Sequence, residues 1–288
     1  MLEETKKRLE NIQAIEPYLN AMRNTSLGAW KTALNRINSI HAYRADLINI
    51  LETLTVPSIN TATSLQDNLE SSPVWLVIGS QKGLVSNFNR HLIHLLQNEM
   101  DSYKQSSAPA LPEIYIVTNR PSYYHHFLQE KETQANIIPF QYNLTFKSAL
   151  QLIKNIPALA DKTKSVQYFY NHYTKGHLPV PTKQAMQSQM DYNVLHPLPD
   201  EEWPPYLLDT ELGIIQENIF KILSWLEFQE ILTNSIASEN AFRHRILEEA
   251  KNNTDRLINE LTIEISMARK KEITKEIQEL AVAAGLTQ

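Results

Sequence analysis

Residues 257–285 read LINELTIEISMARKKEITKEIQELAVAAG, a run without proline whose single glycine is its last residue. They close the proline-free stretch 206–288, in which Gly213 is the only other glycine. Proline and glycine are the residues that most weaken a helix, and Gly285 is suited to end one. The composition therefore predicts one helix over about 209–284.

Such a helix would be roughly 110 Å long, whereas a compact globule of this chain length is only about 50 Å across. We therefore expect the helix to project and to pair with another helix. Its apolar residues recur at the spacing of a helix seam. The series is Ile236, Phe242, Ile246, Ala250, Leu257, Leu261, Ile265, Ala268, Ile273, Ile277 and Leu280.

The N-terminal stretch 18–56 is also free of proline and has apolar or small residues at alternating steps of three and four. The series is Ile12, Ile15, Leu19, Met22, Ser26, Ala29, Ala33, Ile37, Ile40, Arg44, Leu47, Leu51 and Leu54. An extra step of four at Ala29–Ala33–Ile37 is a stutter, which locally unwinds a supercoil. Pro17 either opens this helix at its first turn or kinks a longer one. We predict that 1–56 and 206–288 form a long antiparallel coiled coil.

The residues between these ends alternate between strand and helix patterns. Four short runs have the pattern of strands: Val74–Ile78, Ile114–Thr118, Val166–Tyr170 and Ala185–Met190. Two runs between them have helical spacing: Phe88–Met100 and Phe146–Ile156. This alternation predicts a Rossmann-like α/β domain over 73–200, with a parallel core and an antiparallel hairpin at one edge. The polar segment 57–72 is predicted to be a connector.

Composition excludes several classes of protein. The chain has 288 residues, of which 42% are hydrophobic and 20% charged, as in folded soluble proteins. A net charge of -5 leaves no basic excess to neutralise nucleic-acid phosphates. The absence of cysteine excludes disulfides, thiolate catalysis and zinc–thiolate or iron–sulfur sites. No apolar run approaches the roughly 20 residues of a membrane span, and residues 1–6 lack a signal-peptide core, so we expect a soluble cytosolic chain.

The turn after the first predicted strand is the strongest candidate for chemistry. Residues 79–89 read GSQKGLVSNFN, and a turn that leads into a helix can bind phosphate at the helix N-terminus. These residues match neither G-x-G-x-x-G nor G-x-x-x-x-G-K-[ST], since Lys82 precedes Gly83. We therefore interpret the segment as a structural tight turn.

Histidines and serines form no stronger motif. His91 and His94 stand three apart without the glutamate of H-E-x-x-H, and His125 and His126 would face different directions on a helix. No serine lies in a G-x-S-x-G context. The residues thus predict no catalytic group, no cofactor and no metal site.

Three groups of residues form motifs in a fixed order along the chain. The C-terminal group is SENA at 238–241, LINELT at 257–262 and ARKKEITKEI at 268–277; the central one is KGLVSNFN at 82–89. The N-terminal group combines Lys7-Arg8-Leu9 with Ala21-Met22 and the small seam residues. Similar motifs occur in the same order in the gamma subunit of the F-type ATP synthases: R-R-I…A-M…A-A, R-G-L-C-G-G-F-N, S-E, L-I-x-x-L-T and A-R-Q-x-x-I-T-x-E-[LI]. The chain resembles this family over essentially its whole length.

The departures from the family pattern indicate a divergent member. Lys270 replaces the usual Gln, Ser86-Asn87 replaces Gly-Gly, and Pro17 lies in what is normally continuous helix. The alternative function is an α/β nucleotide-binding enzyme with helical dimerisation arms. The glycine-poor turn and the C-terminal motifs favour the gamma subunit.

The resemblance implies a rotor shaft that is not itself an enzyme. In that family the terminal helices sit in the bore of a hexamer of alpha and beta subunits, and the α/β domain forms a foot, with the epsilon subunit, on the membrane rotor ring. Rotation couples ion flow through the membrane sector to ATP synthesis or hydrolysis on the beta subunits. The chain would then be peripheral, at the cytoplasmic face of a bacterial membrane, and would bind neither nucleic acid nor the membrane itself.

The resemblance also assigns contacts to individual residues. The expected contact with the catch loop of the beta subunit involves Arg269, Lys270 and Thr274. Met22 is the expected contact between shaft and hexamer. The expected contact with the rotor ring involves Tyr206, Leu207 and Leu208.

Overall fold

The computed structural model of the protein describes residues 2–54, 72–105, 111–131, 133–139, 155–156, 164–186 and 209–283. In chain order the elements are α1 (Leu2–Leu54), β1 (Val74–Ile78), α2 (Ser86–Gln105), β2 (Glu113–Val117), α3 (Ser122–Glu130), β3 (Ala135–Ile138), β4 (Val166–His172), β5 (Val180–Ala185) and α4 (Leu212–Ala283). The predicted helix over 146–156 and the predicted connector 57–72 lie almost entirely outside these ranges.

The five strands form one sheet in the order β3-β2-β1-β4-β5. The first four are parallel, and β5 pairs antiparallel with β4. All five residues of β1 are buried, as expected for the central strand of a parallel sheet covered on both faces. Helical ends with a mixed, mostly parallel sheet between them confirm the predicted fold class.

The strand expected at Ala185–Met190 was misplaced. The structure has β5 at Val180–Ala185, and residues 187–190 lie outside the described ranges. Most β5 side chains are exposed or half-buried, because it is the edge strand, so it has no apolar run that marks it in the sequence. Gly176, in the turn before β5, has a φ of +80°, which glycine adopts without strain.

The chain divides into two compact units, and the long helices contribute to both. The terminal unit contains Met1–Gly28 and Arg243–Gln288; the central unit contains Ala29–Phe242. In the central unit one face of the sheet packs on α2 and α3, through residues such as Trp75, Leu92 and Phe127. The other face packs on α1 and α4, through residues such as Ala33 and Leu232.

Within the central unit, α1 and α4 run antiparallel. Ala33 and Ile37 share a cluster with Leu232 and Ile236, and later residues of α1 share a cluster with earlier residues of α4. The buried residues of α1 follow the predicted seam from Ser26 onward: Ser26, Ala33, Ile37, Ile40, Leu47 and Leu51.

In the terminal unit, Arg23 Nη1 contacts Glu248 Oε2 at 3.0 Å, and Leu247, Leu261 and Ile265 are buried. Pro17 lies inside α1, so it does not open that helix at its first turn. Several predicted seam residues are exposed: Ile15, Met22, Ile273, Ile277 and Leu280. No helix among the described residues has a stretch long and apolar enough to cross a bilayer.

Candidate functional site

The middle of α4 is buried on every side. All ten residues from 231 to 240 are buried, whereas a helix on a protein surface usually buries only one stripe. This occurs because the segment packs against both α1 and the sheet. Six of the ten are polar: Thr233, Asn234, Ser235, Ser238, Glu239 and Asn240. Buried polar groups need partners, and the partners of Glu239 form the candidate site.

Glu239 binds the turn that follows β1. The backbone N–H of Gln81 donates to Glu239 Oε2 at 3.0 Å, and that of Lys82 donates to Oε1 at 2.9 Å. Glu239 is only 1% exposed, so water does not compete for these bonds. Two successive N–H groups that converge on one anion are the geometry by which turns bind phosphate. The carboxylate of α4 therefore occupies an anion-binding turn.

This turn lies where ligands usually bind in such sheets. The strand order 3-2-1-4 reverses beside β1, and the crevice at the carboxyl ends of the strands on either side of the reversal is the common ligand site. Here Glu239 reaches the turn after β1, and Ser238 Oγ donates to the carbonyl of His172 at the end of β4, at 3.5 Å. Two adjacent residues of α4 thus contact both strands of the crevice.

A second set of hydrogen bonds holds the turn in shape. Asn89 of α2 accepts the N–H of Ser80 at 3.0 Å and donates to the Ser80 hydroxyl at 2.7 Å. Thr118, after β2, donates its hydroxyl to the Ser80 carbonyl at 2.7 Å. Asn89 also accepts a bond from the Tyr124 hydroxyl at 3.3 Å. Since these side chains are buried, their hydrogen bonds fix the turn to α2, α3 and the end of β2 independently of Glu239.

Tyr124 explains why residue 79 is glycine. A Cβ at Gly79 would clash with the Tyr124 hydroxyl, because it would lie closer than such atoms approach. Burial, and to a lesser degree the charge of Glu239, raises the pKa of Tyr124 far above its usual value. The phenol therefore remains a hydrogen-bond donor. Further along the turn, Leu84 has a φ of 65°, an uncommon conformation for a bulky residue, and is 54% exposed.

The arrangement binds an anion, and the carboxylate of Glu239 already occupies that position. A phosphate could reach the two N–H groups only by displacing Glu239. Among the residues that the structure describes, no three His, Cys, Asp or Glu side chains come together as a metal site.

The residues predicted to contact the catch loop lie on the exposed end of α4. Arg269, Lys270 and Thr274 are all exposed. Thr274 donates its hydroxyl to the Lys270 carbonyl at 2.8 Å. Lys270 and Thr274 line one shallow groove, with Lys271 and Lys275. Within the described part of the chain, Arg269, Lys270 and Lys271 have no carboxylate within 4.0 Å.

Of the other residues predicted to contact partner subunits, the structure describes Met22. Met22 is 42% exposed, and its carbonyl accepts the Ser26 hydroxyl at 2.9 Å. Tyr206, Leu207 and Leu208 lie outside the described residues. Glu239 belongs to the SENA motif at 238–241, but that motif by itself predicts no role for the residue. An acidic residue inside a helical segment rich in small and apolar residues was the signal that could have identified it.

Comparisons with known proteins agree with this architecture. The sequence model of the ATP synthase family matches residues 1–285. The ATP synthase gamma chain of Geobacter metallireducens is 20% identical over 292 residues, which cover 98% of this chain and 97% of that one. The gamma chain of Heliobacterium modesticaldum is 23% identical over 299 residues, which cover 99% of this chain and 98% of that one.

Two solved structures have a similar fold. A chain of the Euglena gracilis mitochondrial ATP synthase OSCP/F1/c-ring structure has a TM-score of 0.57 at 14% identity; the match covers 99% of this chain and 94% of that one. A chain of the Tetrahymena thermophila mitochondrial ATP synthase central stalk/c-ring structure has a TM-score of 0.53 at 17% identity. The match covers 81% of this chain and 99% of that one.

Proposed function

The chain belongs to the ATP synthase family as a gamma subunit of the central stalk, and we propose how its residues carry out the rotor-shaft role. The main support for this function is that the sequence model of the family matches residues 1–285. The two long terminal helices on either side of a mostly parallel sheet agree with it. The partners are the alpha/beta hexamer, the epsilon subunit and the rotor ring. Rotation of the shaft couples ion flow to ATP synthesis or hydrolysis on the beta subunits.

Segments 1–56 and 206–288 act as the shaft, 73–200 as the foot and 57–72 as the connector. A rotor shaft must carry torque along its length. The helix α4 is continuous over 72 residues and contributes buried side chains to both units, such as Leu232 in the central unit and Leu261 in the terminal unit. The subunit is peripheral, lies at the cytoplasmic face of a bacterial membrane and reaches the membrane through the rotor ring.

The subunit is not itself catalytic. The occupation of the β1 turn by Glu239 supports this, because the chain's own carboxylate takes the place that a nucleotide phosphate would need. We expect the isolated chain to bind no ATP or NAD and to hydrolyse no ATP. Calorimetry that gives micromolar affinity for either nucleotide would favour the alternative of a nucleotide-binding enzyme with helical dimerisation arms.

Arg269, Lys270 and Thr274 contact the acidic catch loop of the beta subunit. The support is electrostatic. Four basic residues of α4, namely Arg245, Lys251, Arg256 and Lys275, each pair with a carboxylate four residues later, whereas among the described residues Arg269 and Lys270 have no such partner. The forked guanidinium of Arg269 suits a carboxylate, and Lys270 adds a point charge. Because these groups are exposed, each pair contributes at most about 1 kcal/mol.

This contact is tested with the double variant Arg269→Ala, Thr274→Ala in the complex with alpha and beta subunits. We expect normal assembly with a lower rate of ATP turnover and weaker coupling. Arg256→Ala is the matched control, since it removes an exposed positive charge that is already paired on the same helix. If the double variant hydrolyses ATP at the wild-type rate, the proposed contact is wrong and these residues are ordinary surface residues.

Two further contacts complete the proposal. Met22 contacts the hexamer, consistent with its exposed side chain. Tyr206, Leu207 and Leu208 contact the rotor ring, since an aromatic residue and two leucines just before α4 can anchor an interface. If Tyr206→Ala leaves ion-driven ATP synthesis and ring association unchanged, the ring assignment is wrong.

A further inference from the structure

We infer that Glu239 is a positioning residue for coupling: it locks α4 to the sheet, so that the shaft helix does not slip under load. This inference rests on the rotor-shaft function and adds to it a residue that is buried within this chain. It follows from the kind of contact that Glu239 makes and the rigidity of what it binds.

Apolar packing alone does not resist slipping well. The interface of α4 with α1 and the sheet is rich in residues such as Ile231, Leu232 and Ile236, and hydrophobic contacts have no preferred direction. A helix with such an interface can turn or slide by repacking its side chains. Hydrogen bonds, in contrast, weaken steeply when distance or angle changes, so they resist both motions.

Glu239 makes the strongest kind of directional contact available. Its two oxygens bind two backbone N–H groups, of Gln81 and Lys82, at 3.0 and 2.9 Å. Bonds to a charged acceptor are about twice as strong as neutral ones. Since two donors converge on one carboxylate, neither rotation nor translation of α4 preserves both bonds.

The partner of Glu239 cannot follow a moving helix. A side-chain partner could change rotamer, but backbone N–H groups move only with the turn itself. That turn is fixed by Asn89 of α2 and by Thr118. A load on α4 is therefore transmitted through Glu239 to the sheet and to α2.

A weaker contact at a second point on α4 completes the lock. Gln184 of β5 donates to Glu227 Oε1 at 3.1 Å, twelve residues before Glu239. Gln184 is a side chain on the edge strand, and it also accepts the Tyr170 hydroxyl at 2.9 Å. Because side chains can adjust, this contact orients the helix, whereas Glu239 holds it.

The substitution that separates positioning from stabilisation is Glu239→Gln. Glutamine has the same shape, but it presents one oxygen and one NH₂ group, and the NH₂ cannot accept the second N–H. One of the two bonds is therefore lost without a large cavity. The matched control is Glu230→Gln on the same helix. Glu230 also makes two contacts, with His41 at 2.9 Å and Arg44 at 3.1 Å, but both partners belong to α1 and neither to the sheet.

The first measurement uses the complete membrane complex. ATP hydrolysis and ATP-driven ion pumping are measured for the wild type, Glu239→Gln and Glu230→Gln, and the ratio of pumping to hydrolysis is compared. We expect Glu239→Gln to hydrolyse ATP near the wild-type rate while the ratio falls by about threefold to tenfold. Glu230→Gln should keep the wild-type ratio. An assembled Glu239→Gln complex with the wild-type ratio, or an equal fall in Glu230→Gln, would overturn the inference.

The second measurement applies to the full chain alone and covers the case in which Glu239→Gln fails to assemble. Glu239→Ala leaves two N–H groups without their carboxylate, and acetate is small enough to replace it. We expect acetate, but not chloride at equal ionic strength, to raise the melting temperature of Glu239→Ala and to leave the wild type unchanged. If acetate and chloride act alike, the turn does not bind an anion and the inference fails. If the wild-type chain itself does not assemble with alpha and beta subunits, the rotor function fails instead.

Discussion

Two fifteen-residue stretches of α4 have opposite environments. Every residue from 226 to 240 is buried except the half-buried Glu230, whereas every residue from 266 to 280 is exposed except the half-buried Ala268. In the buried stretch, polar side chains such as Glu239 bond to the chain's own sheet. In the exposed stretch, apolar side chains such as Ile273 and Leu280 contact little, at 56% and 69% exposure. The buried stretch fixes the helix within this chain, and we propose that the exposed stretch binds other subunits.

The largest expected effect of a substitution is in the buried stretch. Phe228 is 2% exposed and packs beside Tyr168, with ring centroids 6.3 Å apart. We expect Phe228→Ala to lower the free energy of unfolding by about 3–5 kcal/mol, because it leaves a cavity in the core. The free energy of unfolding is measured by urea denaturation monitored by circular dichroism. The matched variant Ile277→Ala, in the exposed stretch, should change stability by less than about 0.5 kcal/mol. Equal losses of stability in the two variants would contradict the difference between the buried and the exposed stretch.

A smaller effect is expected at alkaline pH. Burial, followed by the charges of Glu230 and Glu227, raises the pKa of Tyr170 to about 12. The unfolded chain loses this proton near pH 10, so the contribution of Tyr170 to stability is complete below pH 10 and is lost as the pH rises to about 12. Between pH 9 and 12 we expect the wild type to lose about 2 kcal/mol more than Tyr170→Phe. Parallel loss in the two proteins, measured by urea unfolding, would show that Tyr170 is not buried beside these carboxylates.

The smallest effect on stability is expected from a polar substitution in the exposed stretch. Ile273→Ser should leave the free energy of unfolding within about 0.5 kcal/mol of the wild type, because the side chain is already in water. Its effect should instead be on the yield of complex with alpha and beta subunits, measured by gel filtration after co-expression. A variant that unfolds more readily but assembles fully would place Ile273 in an internal contact.

Much of the fold could be predicted because burial leaves a pattern in the sequence. The buried strand Val74–Ile78 is an uninterrupted apolar run, and its predicted bounds are those of β1. The edge strand β5 has no such run, so it was misplaced. A seam of period 3.5 identifies the face of a helix that will be covered, but not the partner that covers it. For that reason Ile273 and Met22 belong to the predicted seams and are nevertheless exposed in the single chain.

The partners of Glu239 could not be predicted from the sequence. Its partners, Gln81 and Lys82, stand 158 and 157 positions away and contribute backbone N–H groups, which carry no residue-specific signal. Only the fold brings the turn after β1 to α4. The exposed cations Arg269 and Lys270 were identified by resemblance instead, since an isolated charged helix face is ordinarily only solvated.

Rotation within the assembled complex tests the central claim most directly. The chain has no cysteine, so Lys175→Cys, in the exposed turn between β4 and β5, provides a single attachment point for an optical probe. The complex with alpha and beta subunits is fixed to a surface through the hexamer and supplied with ATP. The rotor-shaft function predicts that the probe turns in one direction while ATP is present and stops when it is removed. A probe that stays still, or moves randomly, while the complex hydrolyses ATP would contradict it.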